Sequence, residues 1–496
     1  MNIAIKDGQI ITFDETMANR HGLIAGATGT GKTITMKLLA EEFSKQGVPV
    51  FITDIKGELS GFAEPGTLSP KLQERLEKLG APVPEFQPFP VQFWDLLKKN
   101  GTPLRTTISE MGPLLMSRLL GLNDTQTGVL YAVFKIADEN GLALLDFKDL
   151  HEMLKFVYEN STDLSAHYGN ISKQSVGAIQ RSLLVLEQQG AQEFFQEPAL
   201  VITDFLQTNA DGNGIINVLD VSYIYHSPDL YSAFILYLLS ELFEQLPEVG
   251  DLPLPKIVFF FEEAHLLFRN ASKTLQEKVE QVVKLIRSKG VGVFFVTQNP
   301  KDIPEPVLAQ LGNRIQHAMR AFTPAEQRII RSIADSFRGN EGMNVAEEIM
   351  ALQIGEAMIS TLDEKGMPTP VEKAFILAPA SSMDPIDPAR VQQLISTSFL
   401  NNKYAQTFDS ESAYEILTKR AEESAHAAEQ LKAQAEAEKE TTAGKKGGGI
   451  LDSIFGGPSR SRESAVERMI KNTAGSIGTQ VGRAITRGMF GGLLKK

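Results

Sequence analysis

The residues from Gly26 to Thr33 carry the clearest chemical pattern in the chain. They read Gly26, Ala27, Thr28, Gly29, Thr30, Gly31, Lys32 and Thr33. This is the GxxxxGK[ST] pattern, in which glycines let backbone N–H groups turn towards phosphates and the next helix contributes its positive dipole end. The alternative is an ordinary glycine turn before a helix. The full pattern favours a phosphate loop that binds ATP.

Two side chains of this loop have predicted roles beyond the backbone. Lys32 is expected to reach the β and γ phosphates, where its charge offsets theirs. Thr33 supplies a hydroxyl for Mg²⁺, which bridges the β and γ oxygens during phosphoryl transfer. The sequence therefore predicts ATP and Mg²⁺ as cofactors.

A second candidate group ends the apolar segment KIVFFFEEAH, residues 256–265. Glu262 is expected to hold the magnesium ion through water, and Glu263 to orient and deprotonate the attacking water. The alternative is an ordinary acidic cap after a strand, and Asp is commoner than Glu at the first position. His265 is more simply a supporting residue than a reacting one.

Later polar residues could complete the site. Gln298 ends the apolar run VGVFFVT, a position suited to sensing the γ phosphate or placing the water. A neighbouring subunit commonly supplies an arginine in such enzymes, and Arg287, Arg314 and Arg320 are candidates. We favour Arg287, which ends a predicted helix just before the Gln298 strand, and then Arg320; a surface salt bridge is the alternative for Arg287.

The elements that must position these residues are short apolar strands alternating with helices. Residues 23–54 read as strand, loop, helix and strand, which implies parallel strands. Strand signals return as GIINVLDVS, KIVFFFEEAH, VGVFFVTQN, NRIQHAMRAF, GEAMISTL and VEKAFIL. Several are continuous apolar runs, as expected when helices cover both faces of a parallel sheet. We predict an α/β, RecA-like P-loop core with a mostly parallel sheet.

The chain is long enough for more than this core, and its patterns divide it into five parts. We predict the amino-terminal part of the ATPase core at 1–63, a mainly helical insertion at 64–199, the remainder of the core at 200–388, a charged helix and linker at 389–445, and a glycine-rich, basic, amphipathic tail at 446–496.

Composition limits the function classes. The 496 residues carry a net charge of −12 and include no cysteine, which excludes disulfides and thiolate metal sites. An acidic body argues against a protein that coats nucleic acid with its whole surface. No leader or membrane-spanning run is evident, so we expect a cytoplasmic protein.

These motifs resemble the HerA/FtsK superfamily of ring-forming ATPases. The resemblance lies in RHGLIAGATGTGKT from Arg20, DIKGE from Asp54, FFFEEAH, and VTQNPKDIPEPVLAQLGNRI, and it covers residues 1–380. The whole chain looks most like the bacterial YjgR-type HerA-like proteins. The resemblance implies a hexameric ring that translocates DNA through its pore, sometimes beside a nuclease, with Gln298 as the polar sensor.

Alternatives to a DNA translocase or helicase stay open. The acidic body favours an ATP-controlled assembly or effector-docking protein that acts on a protein partner. The tail from Pro458 carries eight Lys or Arg and two Glu, so it could attract DNA, pack in an oligomer or lie on an anionic membrane. Its glycines make an isolated helix costly, so membrane contact is the less favoured of these.

Overall fold

The computed structural model describes residues 1–222, 228–250, 252–268 and 273–443. These residues form two compact units. Unit 1 contains residues 1–106, 118–121 and 185–408, and unit 2 contains 107–117, 122–184 and the described residues from 409 onward. The predicted basic tail at 446–496 lies outside the described residues.

Strands and helices alternate along much of the chain. The strands are β1 Asn2–Lys6, β2 Gln9–Thr12, β3 Gly22–Ala25, β4 Val50–Asp54, β5 Val91–Asp95, β6 Thr102–Pro103, β7 Ile216–Asp220, β8 Ile257–Phe261, β9 Val291–Thr297, β10 Asn313–His317, β11 Glu356–Ser360 and β12 Glu372–Ile376. The helices are α1 Lys32–Lys45, α2 Pro70–Leu79, α3 Ile108–Leu119, α4 Asp124–Glu139, α5 Phe147–Glu159, α6 Ser161–Tyr168, α7 Lys173–Gln188, α8 Pro228–Gln245, α9 His265–Phe268, α10 Lys273–Ile286, α11 Glu305–Leu308, α12 Pro324–Ala334, α13 Val345–Ala351, α14 Pro388–Thr397, α15 Phe399–Tyr404 and α16 Ala413–Ala443.

All the described strands belong to one sheet in unit 1. Their order is β2-β1-β12-β11-β10-β3-β9-β8-β4-β7-β5-β6. The strands from β10 to β6 are parallel, whereas β11, β12, β1 and β2 add an antiparallel edge. The predicted α/β core with a mostly parallel sheet is confirmed, and β3 lies centrally between β9 and β10.

The central strands are largely apolar and are buried along their whole length, as expected for strands covered on both faces. Every residue of β3, β4, β8 and β9 is buried. Helix α1 packs on this layer through Phe43, whose ring lies 6.5 Å from Phe260 and 6.4 Å from Phe294. Burying one such ring stabilises the fold by about 2–3 kcal/mol. This packing fixes the helix that begins at Lys32 against the strands that carry the acidic residues.

The structure differs from the predicted boundary of the helical insertion. Residues 64–106 contain β5 and β6, which extend the parallel sheet beyond β7, and they belong to unit 1. The segment VQFWD of β5 is only five residues long and pairs in register with β7 from Val91 to Asp95. A strand this short has no periodicity of its own, so its place in the sheet depends on pairing that the sequence does not display.

Unit 2 is helical and is stabilised by caps that its sequence encodes. Asn123 and Gln126 form a capping box at the start of α4, and Asp146 and Asp149 form another at the start of α5. The long helix α16 packs on α5 within this unit. Among the described residues of both units, no helix is both long and apolar enough to cross a membrane.

Candidate active site

The phosphate loop adopts a backbone that requires glycine at its two ends. Gly26 has φ +147°, and a Cβ there would lie 2.5 Å from the Cβ of His317. Gly31 has φ +118° and directly precedes α1. L-residues with a side chain rarely adopt these conformations. The loop therefore keeps its shape only with the glycines that the pattern supplies.

Hydrogen bonds to three neighbouring segments hold this loop. The N–H of Gly26 donates to the Thr297 carbonyl at 3.3 Å, and the N–H of Ala27 donates to the Ala318 carbonyl at 2.9 Å. The Thr30 carbonyl accepts from the N–H of Gly355 at 2.9 Å. The ends of β9 and β10 and the residue before β11 thus hold the loop at the carboxyl edge of the sheet.

The Lys32 ammonium lies inside its own loop. It donates to the carbonyls of Gly26 at 2.7 Å and Ala27 at 3.0 Å. Burial lowers the pKa of Lys32, and the nearby charge of Glu263 opposes that shift. Phosphate oxygens would replace these carbonyls as stronger acceptors, because charge-assisted hydrogen bonds are roughly twice as strong as neutral ones.

Glu262 is a buried carboxyl with few donors. Its Oε2 accepts from the N–H of Ile55 at 3.3 Å, and its exposed fraction is 8%. Burial first, and then the charge of Asp54, raise the pKa of Glu262 to about 7. A nearby cation would stabilise its charged form. The position therefore suits a carboxylate that faces a metal ion.

Glu263 has a strained backbone and a held side chain. Its φ is +48°, a left-handed conformation that costs a non-glycine residue about 1–3 kcal/mol. Its Oε1 accepts from Nε2 of Gln298 at 3.1 Å, and its Oε2 lies 3.2 Å from Nδ1 of His265. The turn after β8 thus directs this carboxylate towards the end of β9.

One cleft of about 500 Å³ brings the two predicted groups together; we call it the phosphate cleft. Its lining residues include Thr28, Gly29, Gly31, Lys32, Thr33, Ile34, Lys37, Ile55, Lys56, Glu58, Glu262, Glu263, Thr297, Gln298, Ile354 and Met383. The phosphate loop lies on one side and the acidic strand end on the other. This arrangement can hold a polyphosphate beside a base and an amide.

The predicted arginines lie outside this cleft. Arg287 begins the short 3₁₀ helix before β9; burial, and to a lesser extent the Arg287 charge, lower the pKa of His21, which precedes β3. Arg314 donates to the carbonyls of Leu308, Leu311 and Ser336. Arg320 follows β10 and donates to those of Met350 and Leu352. A role for Arg287 or Arg320 in a neighbouring subunit stays a prediction.

Sequence reasoning missed His317, which lies directly beside the phosphate loop. Its Nδ1 lies 3.0 Å from the Glu356 carbonyl, and its Nε2 lies 2.8 Å from Oγ1 of Thr35. Burial lowers the pKa of His317 to about 4, so the ring is neutral at pH 7. Its Nδ1–H donates to the carbonyl, and Nε2 accepts from the hydroxyl. The sequence signal was weak, because His317 ends β10, whose segment NRIQH has only one apolar residue, whereas Gln298 follows the apolar run VGVFFVT.

Asp54 organises another side of the cleft. Its carboxylate accepts from the N–H groups of Gly57, Glu58 and Leu59 at 2.8–3.1 Å. Burial raises the pKa of Asp54, and these three donors oppose the shift. The resulting turn carries Lys56 and Glu58 to the cleft. Asp54 therefore shapes the wall of the site.

The cleft contains side chains that fit a magnesium nucleotide. No cluster of three or more His, Asp or Glu side chains that could hold a metal occurs in the described residues. Thr33 and Glu262 nevertheless line the same cleft as Lys32. Mg²⁺ commonly takes one or two protein ligands together with phosphate oxygens and water. These residues match that ligand set.

Comparison with known proteins identifies a family and several distant relatives. The family model described as "Helicase HerA-like C-terminal" matches residues 2–496. The DNA double-strand break repair helicase HerA of Sulfurisphaera tokodaii is 24% identical over 360 residues, which are 68% of this chain and 62% of that protein. The protein of the same name from Saccharolobus solfataricus is 24% identical over 354 residues, 68% of this chain and 61% of that protein.

The chain thus spans about three fifths of the length of these curated relatives. Among solved structures, the plasmid coupling protein TrwB in complex with ADP and Mg²⁺ aligns with a TM-score of 0.49 at 12% identity. That alignment covers 78% of this chain and 91% of the TrwB chain.

Proposed function

Because the chain belongs to the helicase HerA-like C-terminal family, we propose that it is an ATP-hydrolysing motor that moves DNA as a translocase or helicase. The names of the relatives, DNA repair helicases, support the DNA part of the proposal. The observation that carries the ATPase part is the single cleft that contains Lys32, Glu263 and Gln298.

The proposed binding step uses the loop residues 26–33. Backbone N–H groups of the loop and the start of α1 surround the β and γ phosphates, and Lys32 exchanges its two carbonyl partners for phosphate oxygens. Thr33 and Glu262 would hold Mg²⁺, the latter through water. When bound, the ion would offset the charge that develops on the phosphate oxygens.

The proposed chemical step depends on Glu263. Its carboxylate accepts the proton of the attacking water, and Gln298 keeps Oε1 in place through a 3.1 Å hydrogen bond. Gln298 can release that bond when it contacts the γ phosphate, which would link the end of β9 to the nucleotide state. General-base catalysis of this kind contributes about 10²–10⁴-fold to the rate.

We also propose that copies of the chain assemble into a hexameric ring. The family resemblance supports this assembly, and a head-to-tail interface between identical subunits closes into such a ring. Arg287 or Arg320 would then contact the phosphates in the neighbouring copy. A YjgR-type identity, a cytoplasmic location and a nuclease or other protein partner stay predictions.

Steady-state ATP hydrolysis by the full-length chain tests the motor. Rates would be measured with and without single- and double-stranded DNA at two salt concentrations, with Glu263→Gln as the inactive control. We expect DNA to raise the rate several-fold, and added salt to reduce that stimulation because phosphate contacts are screened. Glu263-dependent hydrolysis that DNA leaves unchanged would instead favour the alternative of an ATP-controlled protein that docks an effector.

A further inference from the structure

A second, larger cavity lies beside the phosphate cleft in unit 1, and the proposed mechanism gives it no role. Its volume is about 920 Å³, and we call it the side cavity. Helix α2 forms one wall, and residues 353–355 and 375–379 form the others. A volume of this size is typical of sites for small organic ligands.

The side cavity adjoins the phosphate cleft and shares four lining residues with it. Gly31, Ile34, Ile354 and Met383 line both. Gly31 and Ile34 belong to the phosphate loop and the first turn of α1. A ligand whose phosphates occupy the loop can therefore extend past Ile34 into the side cavity.

The wall between the two spaces is fixed by direct contacts. The N–H of Gly355 donates to the Thr30 carbonyl at 2.9 Å. A Cβ on Gly31 would lie 3.3 Å from the Cα of Gly355. Because the two backbones touch, the side cavity keeps a fixed distance from the phosphates. Such a fixed distance suits one ligand that fills both spaces.

Arg75 of α2 gives the side cavity a flat cationic surface. Its Nη2 donates to the Ile354 carbonyl at 3.2 Å, and its Cζ lies 5.4 Å from the centre of the Phe375 ring. The Arg75 side chain is half-buried, and burial lowers its pKa. A guanidinium plane held in this way can stack on an aromatic ring system.

Two features of this wall favour a ligand site. Gly355 has φ +78°, and a Cβ there would lie 2.2 Å from Nη2 of Arg75, so any side chain would displace the guanidinium. Ile354 is 69% exposed and Met383 is 45% exposed, although both are apolar. Exposed apolar side chains at the mouth of a cavity are typical of a ligand site.

We propose that the side cavity binds the base and ribose of the nucleotide whose phosphates occupy the loop, with Arg75 stacking on the base. The inference rests on the proposed nucleotide-binding function and adds the nucleoside subsite to it. The ligand must have a flat ring system at one end and a polyphosphate at the other, and a nucleoside triphosphate meets both requirements.

Binding of two ligands to the full-length chain tests this subsite. Magnesium ATP carries both the nucleoside and the phosphates, whereas magnesium tripolyphosphate carries only the phosphates. Titration calorimetry of Arg75→Ala should show ATP binding weakened roughly tenfold, because stacking on a base is worth about 1–3 kcal/mol. Tripolyphosphate binding should be unchanged.

Matched variants separate stacking from charge and from damage to α2. Gln73→Ala changes the exposed face of the same helix, where the Gln73 amide donates to Glu77, and should leave both ligands unaffected. Arg75→Lys keeps the charge but lacks the planar group, so it should also weaken ATP alone. Ile354→Ser alters an exposed residue at the mouth and should weaken ATP several-fold without affecting folding.

Three results would overturn the proposal. Normal ATP binding by both Arg75→Ala and Ile354→Ser would place the nucleoside elsewhere. Equal loss of ATP and tripolyphosphate in Arg75→Ala, with normal binding by Arg75→Lys, would mean that Arg75 acts through charge on the phosphates. Weaker ATP binding by Gln73→Ala would point to disruption of α2.

Failure of the nucleotide-binding proposal gives a distinguishable result, because Lys32→Ala would then still bind both ATP and tripolyphosphate.

Discussion

Two buried carboxyl groups, one in each compact unit, differ in the number of hydrogen bonds that they accept. Glu262 in the phosphate cleft receives one backbone N–H, from Ile55 at 3.3 Å. Asp149 at the start of α5 receives the N–H groups of Leu145 at 2.7 Å and Tyr414 at 2.8 Å. It also accepts from the N–H of Asp146 and from the Ser412 hydroxyl.

The difference separates a structural acid from a site that can receive a ligand. Asp149 joins the start of α5 to the start of α16, because its two oxygens satisfy donors from both. Glu262 can accept further hydrogen bonds, and its pKa is raised by burial and by the charge of Asp54, which the single Ile55 donor only partly offsets. Substitutions of cleft acids should therefore reduce turnover without reducing stability, and substitution of Asp149 should reduce stability.

The largest expected effect is on turnover by the Glu263→Gln variant. The amide cannot accept the proton of the attacking water, so kcat for ATP hydrolysis should fall about 10³-fold, or about 4 kcal/mol of activation free energy. ATP affinity should stay within about twofold, because Lys32 and the loop are unchanged. Single-turnover hydrolysis and equilibrium ATP binding measure the two quantities. Normal turnover would remove Glu263 from the chemistry.

The Asp149→Ala substitution should lower stability more than turnover. Removing the carboxylate leaves buried donors from α5 and α16 without partners, so the free energy of unfolding should fall by about 3 kcal/mol. Urea unfolding followed by far-UV circular dichroism measures this loss. Asp409→Asn is the control, because Asp409 is an exposed partner of Lys148 and should cost under about 1 kcal/mol. Equal effects of the two variants would break the comparison.

The Glu262→Gln substitution should stabilise the protein when nucleotide and Mg²⁺ are absent. The effect should appear mainly at neutral and alkaline pH. The pKa of Glu262 rises from 4.5 to about 7 on folding, so the wild type loses stability as pH rises through that window. Glutamine has no charge to bury. Its advantage should be under about 1 kcal/mol near pH 5 and reach about 2–3 kcal/mol near pH 8. Unfolding midpoints of both proteins at the two pH values test the sign.

The sequence predicted the parts of this site that lie at the ends of apolar strands. Lys32, Glu262, Glu263 and Gln298 each follow or end a strand signal, and parallel strands bring their carboxyl ends to one edge of the sheet. The order of β3, β9 and β8 in the sheet could not be predicted, because it results from long-range pairing. That order makes Gln298 of the middle strand the neighbour of Glu263.

Other features depend on contacts that no local pattern encodes. His317 contacts the phosphate loop only because β10 pairs with β3 from Asn313 to Gln316. β1 is five residues long and lies at the antiparallel edge, paired with β2 and with the distant β12. The positive φ of Glu263 is likewise a consequence of the turn after β8, since glutamate has no local preference for it.

The smallest predicted effect concerns His265, which contacts the held carboxylate from the side opposite Gln298. Its Nδ1 lies 3.2 Å from Oε2 of Glu263, but neither atom makes a hydrogen bond in this geometry and both side chains are partly exposed, so their interaction is worth at most about 1 kcal/mol. His265→Ala should therefore lower kcat about fivefold and leave KM unchanged, because Glu263 loses one constraint on its orientation. His265→Asn places an amide nitrogen near the position of Nδ1 and should recover most of the rate. If His265→Ala is as slow as Glu263→Gln, His265 itself takes part in proton transfer. If His265→Ala and His265→Asn have equal rates, the contact does not position Glu263.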